Sequence, residues 1–396
     1  MMPRRVLIIG GTGVFGKRLT RHLTQFSGLE VFVASRSKDK AQAFVQSLAQ
    51  GTSASRFHGV ALDHGKNLDQ VLTSVAPFAV IDCSGPFQAA DYATPKRILR
   101  AGAHLIDLAD ARGYLAGFSA ALNDIAKDHN VTALTGASST PTLSASVVKV
   151  LTKDWSSVDS IDIAITPGGK SDVGRAVIEA ILSYAGKSIP VWHDGQVAQT
   201  TGWRGGHVIN VPDLGQRRVA AVETYDAEYL GARHHVTSHV RFAAGLESRV
   251  EQYGIETHAA LRSFGLRPDL KFLIPTLLKA RILTRILTSD KGGMTVRCSG
   301  LDAAGQRDAA QWTLIAKNDH GPYVPILPAA AALQKLLVTD LSAGAAIADE
   351  VLDLTDITAQ MRPYDITFRE TGSQSGYAGN CSSAFFKASP QPEAMD

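Results

Sequence analysis

Short apolar segments alternate with longer amphipathic segments along the first 150 residues of the chain. The apolar segments are rich in Val, Ile and Leu, as buried strands are, whereas the segments between them repeat apolar residues every three or four positions, as helices do. The predicted strands are Arg5–Ile9, Val31–Ser35, Phe57–Asp63, Ala79–Cys83, His104–Leu108 and Val131–Thr135. The predicted helices are Gly16–Gln25, Lys40–Gln50, Leu68–Val75, Ala93–Ala101 and Phe118–His129. This alternation predicts parallel strands joined by crossover helices, and therefore an α/β domain on a doubly wound sheet.

After about residue 150 the pattern changes to strands separated by turns, with the helices segregated from them. The predicted strands are Ser160–Thr166, Arg217–Glu223, His235–Ala243, Met294–Ser299 and Gln311–Lys317, and the predicted helices are Gly174–Ala185, Glu247–Ser263 and Lys271–Thr288. This pattern predicts a second, α+β domain with a largely antiparallel sheet. The segment Lys187–Gly206 is predicted to be a long loop that borders the functional site.

The C-terminal part of the chain is Ala- and Leu-rich, and we expect it to return to the first domain. Two helices are predicted over Pro328–Leu337 and Ala343–Val351, followed by a strand over Tyr364–Arg369. The expected organisation is a first domain over residues 1–150, completed by about 323–355, and a second domain over 151–322. Residues 371–396, rich in Ser, Gly and Pro, are expected to form a flexible tail.

Composition and charge exclude several classes of function. The 396 residues are 45% hydrophobic and 19% charged, with a formal net charge of +3 and no basic block. This gives no electrostatic basis for nucleic-acid binding. The three cysteines, Cys83, Cys298 and Cys381, lie far apart and in no metal-ligand spacing. Such sparse cysteines favour a reducing compartment, hence a cytoplasmic protein with no metal site.

The segment Lys271–Thr288 raises the question of membrane contact. It reads KFLIPTLLKARILTRILT and carries four Lys or Arg residues, so it does not fit a membrane-spanning helix. Its apolar residues fall at roughly helical spacing, which favours a helix packed on the protein or on a partner subunit. Association with a membrane surface stays open as the less favoured alternative.

A glycine-rich turn follows the first predicted strand and gives the strongest local signal. The sequence Gly11-Thr12-Gly13-Val14-Phe15-Gly16 lies between a buried strand and a helix, which is the context that dinucleotide-binding turns require. Gly11 permits the tight turn, Gly13 lets the backbone approach a pyrophosphate, and Gly16 lets the helix pack on the sheet. The free N–H groups of the helix N-terminus then face the phosphates. We therefore predict an N-terminal Rossmann domain that binds a nicotinamide dinucleotide.

The end of the second predicted strand favours NADP(H) over NAD(H). NAD-binding sites usually place a carboxylate there for the ribose 2′-hydroxyl, but this chain reads Ser35-Arg36-Ser37-Lys38. The Arg36 guanidinium is suited to a 2′-phosphate, and the hydroxyls of Ser35 and Ser37 are suited to hydrogen-bond it. The alternative is that Arg36 and Lys38 are solvated loop cations.

Further cofactor contacts are expected at the ends of later strands, because ligands of such sheets lie beyond the carboxyl ends of the strands. Asp63 is predicted to bind the adenine amino group, and Ser84-Gly85-Pro86 to pass close to the nicotinamide ribose. Asp107, Asp110 and the segment 136–141 also end strands, where capping and turn roles are equally open.

Several longer motifs carry a resemblance to a known family. They are Ile8–Gly16 (IIGGTGVFG), Ile81–Phe87 (IDCSGPF), Gly102–Ala111 (GAHLIDLADA), Gly113–Ala121 (GYLAGFSAA), Gly136–Leu143 (GASSTPTL), Ile161–Gly174 (IDIAITPGGKSDVG), Ala180–Gly186 (AILSYAG), Gly292–Val296 (GGMTV) and Trp312–Pro325 (WTLIAKNDHGPYVP). With these motifs the chain resembles the saccharopine dehydrogenase-like oxidoreductases, in the bacterial branch whose substrates are mostly undefined. The resemblance implies an NADP-binding domain, a dimerising α+β domain, a return helix and oxidoreductase activity in a homodimer.

No sequence motif identifies the group that moves a proton. There is no Tyr-x-x-x-Lys pair where a short-chain reductase needs it and no GxSxG nucleophile motif. His234 and His235 are candidates for proton transfer. The candidates for contact with the substrate are Phe87, Ser138, Arg175, Tyr184 and His193.

Two hypotheses of different classes follow. In the first, the protein is an NADP-dependent oxidoreductase that transfers a hydride between the nicotinamide and a C=N, C=O or C=C bond of a small or lipid-like substrate in the interdomain cleft. In the second, it is a non-catalytic NADP(H)-binding sensor or scaffold.

Overall fold

The computed structural model describes residues 3–48, 56–170, 182–266 and 288–372. Arg175, nearly all of the segment Lys271–Thr288 and the predicted tail from residue 373 lie outside these ranges. Among the helices within them, none is long and apolar enough to cross a bilayer.

The N-terminal part of the chain forms a parallel sheet whose strands are buried on both faces. Its first six strands are β1 (Arg4–Ile9), β2 (Leu29–Ser35), β3 (Phe57–Ala61), β4 (Ala79–Asp82), β5 (His104–Asp107) and β6 (Thr132–Thr135). In β1, Val6 and Ile8 point into one apolar cluster while Leu7 and Ile9 point into another. Such double burial requires the continuous apolar runs seen in the sequence.

Helices connect these strands and cover both faces of the sheet. They are α1 (Val14–His22), α2 (Lys38–Leu48), α3 (Leu68–Val75), α4 (Ala93–Arg100), α5 (Arg112–Asp128) and α6 (Ser144–Leu151). In α5 the buried residues Leu115, Phe118 and Leu122 recur every three or four positions, so one face of the helix packs on the sheet. The predicted helices and strands of this region are present, with boundaries that differ by a few residues.

The middle of the chain forms a second sheet. Its strands are β7 (Trp155–Thr166), β8 (Ser188–His193), β9 (Gln196–Thr201), β10 (His207–Val211), β11 (Gly215–Ala221), β12 (His239–Ala244), β13 (Gly292–Asp302) and β14 (Arg307–Ala316), with helices α7 (Asp226–Arg233) and α8 (Arg249–Ser263). Within the described residues every strand pair of this sheet is antiparallel except β7 with β12.

The C-terminal part of the chain contributes to both sheets. It contains α9 (Leu327–Val338), β15 (Gly344–Ile347), α10 (Leu354–Ala359) and β16 (Ile366–Thr371). In the described part of the chain, β15 pairs with β6 as the seventh strand of the first sheet, whose order is β3-β2-β1-β4-β5-β6-β15, and β16 pairs with β14 in the second. Apolar side chains of α9 join a core cluster that also contains Val6 and Val296, so the core is continuous between the two sheets.

Three sequence-based assignments are wrong. Ala343–Val351, predicted to be helical, contains strand β15 and a short 3₁₀ turn, because its backbone pairs with β6 at the sheet edge. The predicted loop Lys187–Gly206 contains the β8–β9 hairpin. The helix α7 was not predicted.

Candidate functional site

Glycines shape the turn between β1 and α1. Gly10 has a φ of +69°, and a Cβ added there would lie 2.9 Å from the Cα of Ser84. A Cβ at Gly16 would lie 2.3 Å from the carbonyl oxygen of Gly10. The N–H of Gly13 donates to that same carbonyl at 2.9 Å and closes the turn. The turn thus packs directly against the end of β4 and has no room for side chains at Gly10 and Gly16.

The first turn of α1 is suited to bind an anion. Gly13 is the N-cap and provides no side-chain cap, and the first turn contains no acidic residue. The first N–H groups of a helix lack partners inside the helix, and the helix dipole places partial positive charge there. Gly13, Val14 and Phe15 all line the adjacent cavity, so this end of the helix fits a pyrophosphate.

A cavity of about 1130 Å³ extends along the carboxyl ends of β1, β2, β4 and β5. It reaches from α1 to residues Ser183–Ser188 and Glu223, which belong to the region of the second sheet. The cavity therefore has a nucleotide-binding loop at one end and two opposed walls at the other.

The end of the cavity at β2 is basic. Ser35, Arg36, Ser37 and Lys40 line it, and no carboxylate follows β2 there. The hydroxyl of Thr12 lies 3.0 Å from that of Ser35 and connects the glycine turn to the β2 end. Within the described ranges, no carboxylate forms an ion pair with Arg36 or Lys40. Two cations and two hydroxyls are a donor set suited to a phosphate monoester.

The opposite end of the cavity lies beyond β4 and β5. Its first wall contains Ser84–Gln88 and Leu108–Gly113, and its second wall contains Tyr184, Lys187 and Glu223. Arg112 lines this end and pairs with Glu228 of α7 at 2.6 Å, which ties the two walls together. Charged and hydroxyl side chains of both signs therefore surround the space where a nicotinamide and a substrate would meet.

Two buried carboxyl groups lie at the strand ends beside this end of the cavity. Asp82 ends β4 and Asp107 ends β5, and they are exposed to only 7% and 1%. Burial raises the pKa of both, that of Asp107 to about 7. Burial and the neighbouring Asp107 also raise the pKa of Tyr114, whose hydroxyl donates to the Asp107 carboxyl at 3.2 Å.

Most of the residues predicted from the sequence line this one cavity. They are Thr12, Gly13, Val14, Phe15, Ser35, Arg36, Ser37, Ser84, Gly85, Pro86, Phe87 and Tyr184. Gly11 and Gly16 lie directly behind this lining: the N–H of Gly11 donates to the carbonyl of Ala34, and Gly16 packs on Gly10.

Three predicted residues lie outside the lining. Asp63 accepts a hydrogen bond from the N–H of Gly65 at 3.1 Å and so stabilises the turn after β3. Ser138 sits in the turn after β6, and His193 lies at the end of β8 with its Nε2 3.3 Å from Asp194. The predicted contact residue Arg175 is outside the described residues. No group of three His, Cys, Asp or Glu in the described ranges is arranged to hold a metal ion.

The structure adds lining residues that the sequence did not indicate. They are Lys40, His64, Gln88, Arg112, Lys187, Ser188 and Glu223. Lys40 lies one helical turn after the Ser35–Ser37 segment, so its spacing was a usable signal. No local pattern marks Lys187 or Glu223, because only the packing of the second sheet brings them to the cleft.

The comparisons agree with this fold and site. Residues 6–134 match the family described as the saccharopine dehydrogenase NADP binding domain, which confirms the resemblance found in the sequence. No curated protein matches the chain in sequence.

Solved structures share the fold at low identity. An apo saccharopine dehydrogenase (L-Glu forming) from Saccharomyces cerevisiae matches with a TM-score of 0.64 and 14% identity, over 93% of this chain and 99% of that one. A DAP dehydrogenase from C. glutamicum in complex with DAP matches with a TM-score of 0.49 and 15% identity, over 91% of this chain and 99% of that one.

Proposed function

We propose that this saccharopine dehydrogenase-like chain is an NADP(H)-dependent oxidoreductase whose substrate binds in the cleft between the two sheets. The observation that carries the proposal is a single cavity that joins three features: the open N-terminus of α1, the cations Arg36 and Lys40, and a polar wall formed by the second sheet. A site for the dinucleotide alone would not require the third feature.

The residues at the first two features account for cofactor choice. The N–H groups at the start of α1 bind the pyrophosphate, and the turn cannot be blocked by its own side chains because glycines occupy it. Arg36 and Lys40 bind the 2′-phosphate, and the hydroxyls of Ser35 and Ser37 orient it. NADP(H) is therefore preferred over NAD(H), which offers a neutral hydroxyl to these cations.

The residues at the opposite end position the reacting groups. When bound, the nicotinamide supplies hydride transfer to or from a C=N, C=O or C=C bond. Gly85 and Pro86 let the chain run close beside the ring, and Phe87 closes the first wall by packing on Tyr114, with their ring centroids 5.3 Å apart. Tyr184, Lys187 and Glu223 face this space from the second wall and exclude water from it. Their polarity favours a small polar substrate over a lipid-like one.

Calorimetry and turnover together test the proposal. NADPH is expected to bind at least tenfold more tightly than NADH, and its absorbance is expected to fall with at least one member of an imine, aldehyde and enone panel. Tight NADPH binding without any turnover would favour the sensor or scaffold. Absence of binding heat with both dinucleotides would overturn the oxidoreductase and the sensor alike.

Organisation and location are also proposals. We propose a first domain of residues 1–150 completed by 323–355, a second domain of residues 151–322, and a cytoplasmic homodimer; the family resemblance and the sparse cysteines support them. Sedimentation of the purified protein at twice its 42.1 kDa mass is the expected result for the dimer.

A further inference from the structure

Asp82 and Asp107 are direct neighbours on adjacent strands. The two residues are in register across the parallel pair β4–β5, so their side chains leave the same face of the sheet about 4.8 Å apart. Neither carboxyl forms an ion pair with a Lys or Arg of the described residues. Four other titratable groups face the pair from the surrounding elements: Cys83 at the β4 end, His64 after β3, Tyr92 before α4, and Tyr114 on α5.

The two carboxyls hold the backbone of the cleft in place. Asp82 accepts a hydrogen bond from the N–H of Ser84 at 2.8 Å, which fixes the loop that follows β4. Asp107 accepts from the N–H of Ala109 at 3.0 Å and from that of Gly136 at 3.1 Å, which fixes the loops after β5 and β6. The loops after β4 and β5 are the ones that line the nicotinamide end of the cavity.

Two adjacent carboxyls in a buried place cannot both ionise readily, because the second negative charge is repelled by the first and is poorly solvated. The pair therefore retains one proton near neutral pH. When that proton is lost, the two charges repel across the strand pair whose ends carry the cleft loops.

We propose that Asp82 and Asp107 form a one-proton pair that positions the two loops at the nicotinamide end of the cleft, and that loss of the shared proton weakens cofactor binding. The pair acts through Ser84 and Ala109 and does not itself touch the cofactor. This inference rests on the proposed function, because it assigns the nicotinamide to this end of the cavity.

The test compares the pH dependence of NADPH affinity between pH 6 and pH 8.5. The wild-type protein is expected to lose affinity at least tenfold over this range. Either Asp82→Asn or Asp107→Asn replaces one carboxyl by a neutral amide of the same shape, so each variant is expected to bind NADPH with a change of less than threefold over the same range. A merely structural role predicts instead a loss of affinity that is the same at every pH.

A matched control is Asp226→Asn, a fully buried aspartate outside the cavity lining. It is expected to keep the wild-type pH profile of NADPH affinity. Asn variants of the pair that retain the wild-type profile, or a wild-type affinity that is constant with pH, would overturn the inference.

A cofactor-free measurement separates this inference from the proposed function. Because both folded-state pKa values are raised, the favourable contribution of the protonated carboxyls is present at low pH and is lost as pH rises through about 7. The stability of the wild-type protein is therefore expected to fall from pH 6 to pH 8.5, and the fall is expected to be smaller in each single Asn variant. If NADPH fails to bind at any pH while this difference is observed, the proposed function is wrong and the proton pair stands. Equal slopes in the wild type and both variants contradict the pair.

Discussion

Arg36 and Lys40 are the residues on which NADP(H) preference depends. Replacing both with Ala removes the two cations at the β2 end of the cavity. A charge-assisted hydrogen bond to phosphate is worth roughly 1.5–3 kcal/mol, so NADPH affinity is expected to fall by about 10- to 100-fold for each cation removed. NADH affinity is expected to change little, because NADH lacks the 2′-phosphate. Calorimetric titration with both dinucleotides measures the difference.

Lys38 provides the matched control for this double substitution. It carries the same charge on the same segment but does not line the cavity. Lys38→Ala is therefore expected to leave the ratio of NADPH to NADH affinity unchanged. A similar loss for both dinucleotides in the Arg36→Ala/Lys40→Ala protein would contradict a 2′-phosphate site.

At the residue scale, the sequence located the nucleotide end of the site better than the substrate end. The glycine turn and Ser35–Ser37 are contiguous segments with fixed spacing, so local pattern was sufficient. Ser138 and His193 were proposed from motif and residue type and lie outside the cavity lining, whereas Lys187 and Glu223 line it. Residues that meet only through tertiary packing leave no local pattern to read.

At the element scale, the fit of α1 against β1 depends on Gly16. An Ala at this position places a Cβ 2.3 Å from the backbone oxygen of Gly10, which cannot move without opening the turn. Overpacking of this kind costs roughly 1–3 kcal/mol. We expect Gly16→Ala to lower the free energy of unfolding in urea by about that amount and to weaken NADPH binding.

Gly254, inside α8, is the matched comparison. Nothing lies within 4 Å of a Cβ built there, and its φ is not in the left-handed region. Gly254→Ala is expected to stabilise the protein by about 0.5–1 kcal/mol through helix propensity. Equal effects of the two substitutions would show that contact with Gly10 is not what restricts position 16.

The mispredicted elements show where local preference lost to packing. Ala343–Val351 has the composition of a helix, but residues 344–347 complete the edge of the first sheet beside β6, where backbone pairing outweighs propensity. The β8–β9 hairpin turns at Asp194-Gly195, both with positive φ. Asp-Gly is a recognised hairpin signal, so this element was predictable from the sequence.

At the scale of the whole molecule, α7 joins the second sheet to the first domain through buried carboxyls. Asp226 accepts a hydrogen bond from Ser144 of α6, and Asp349 accepts from Tyr229 at 2.8 Å and from Arg233 at 2.7 Å. Burial raises the pKa of Asp226 to about 6. The junction therefore contains a carboxyl that is easier to keep protonated in the folded state than in the unfolded state.

This shift makes stability depend on pH. Because the folded-state pKa of Asp226 is raised, its favourable contribution is present below pH 4 and is lost as pH rises through about 6. At 1.36 kcal/mol for each unit, the loss amounts to roughly 2–3 kcal/mol. The free energy of unfolding of Asp226→Asn, relative to wild type, is expected to rise by about that amount between pH 4 and pH 7.

Asp128→Asn, at an exposed position, is the control for this measurement. Its difference from wild type is expected to stay constant over the same pH range. Parallel stability curves for Asp226→Asn and wild type would rule out titration of Asp226 at the junction.

The sequence by itself determined the parallel sheet, the glycine turn and the basic β2 end, because each depends on neighbours in the chain and on the period of apolar residues. Only the tertiary structure decided which residues of the second sheet face the cofactor cleft, that β15 closes the first sheet, and that Asp82 lies beside Asp107. These features join residues far apart in the chain, and their energies come from burial and charge proximity, which no local pattern encodes.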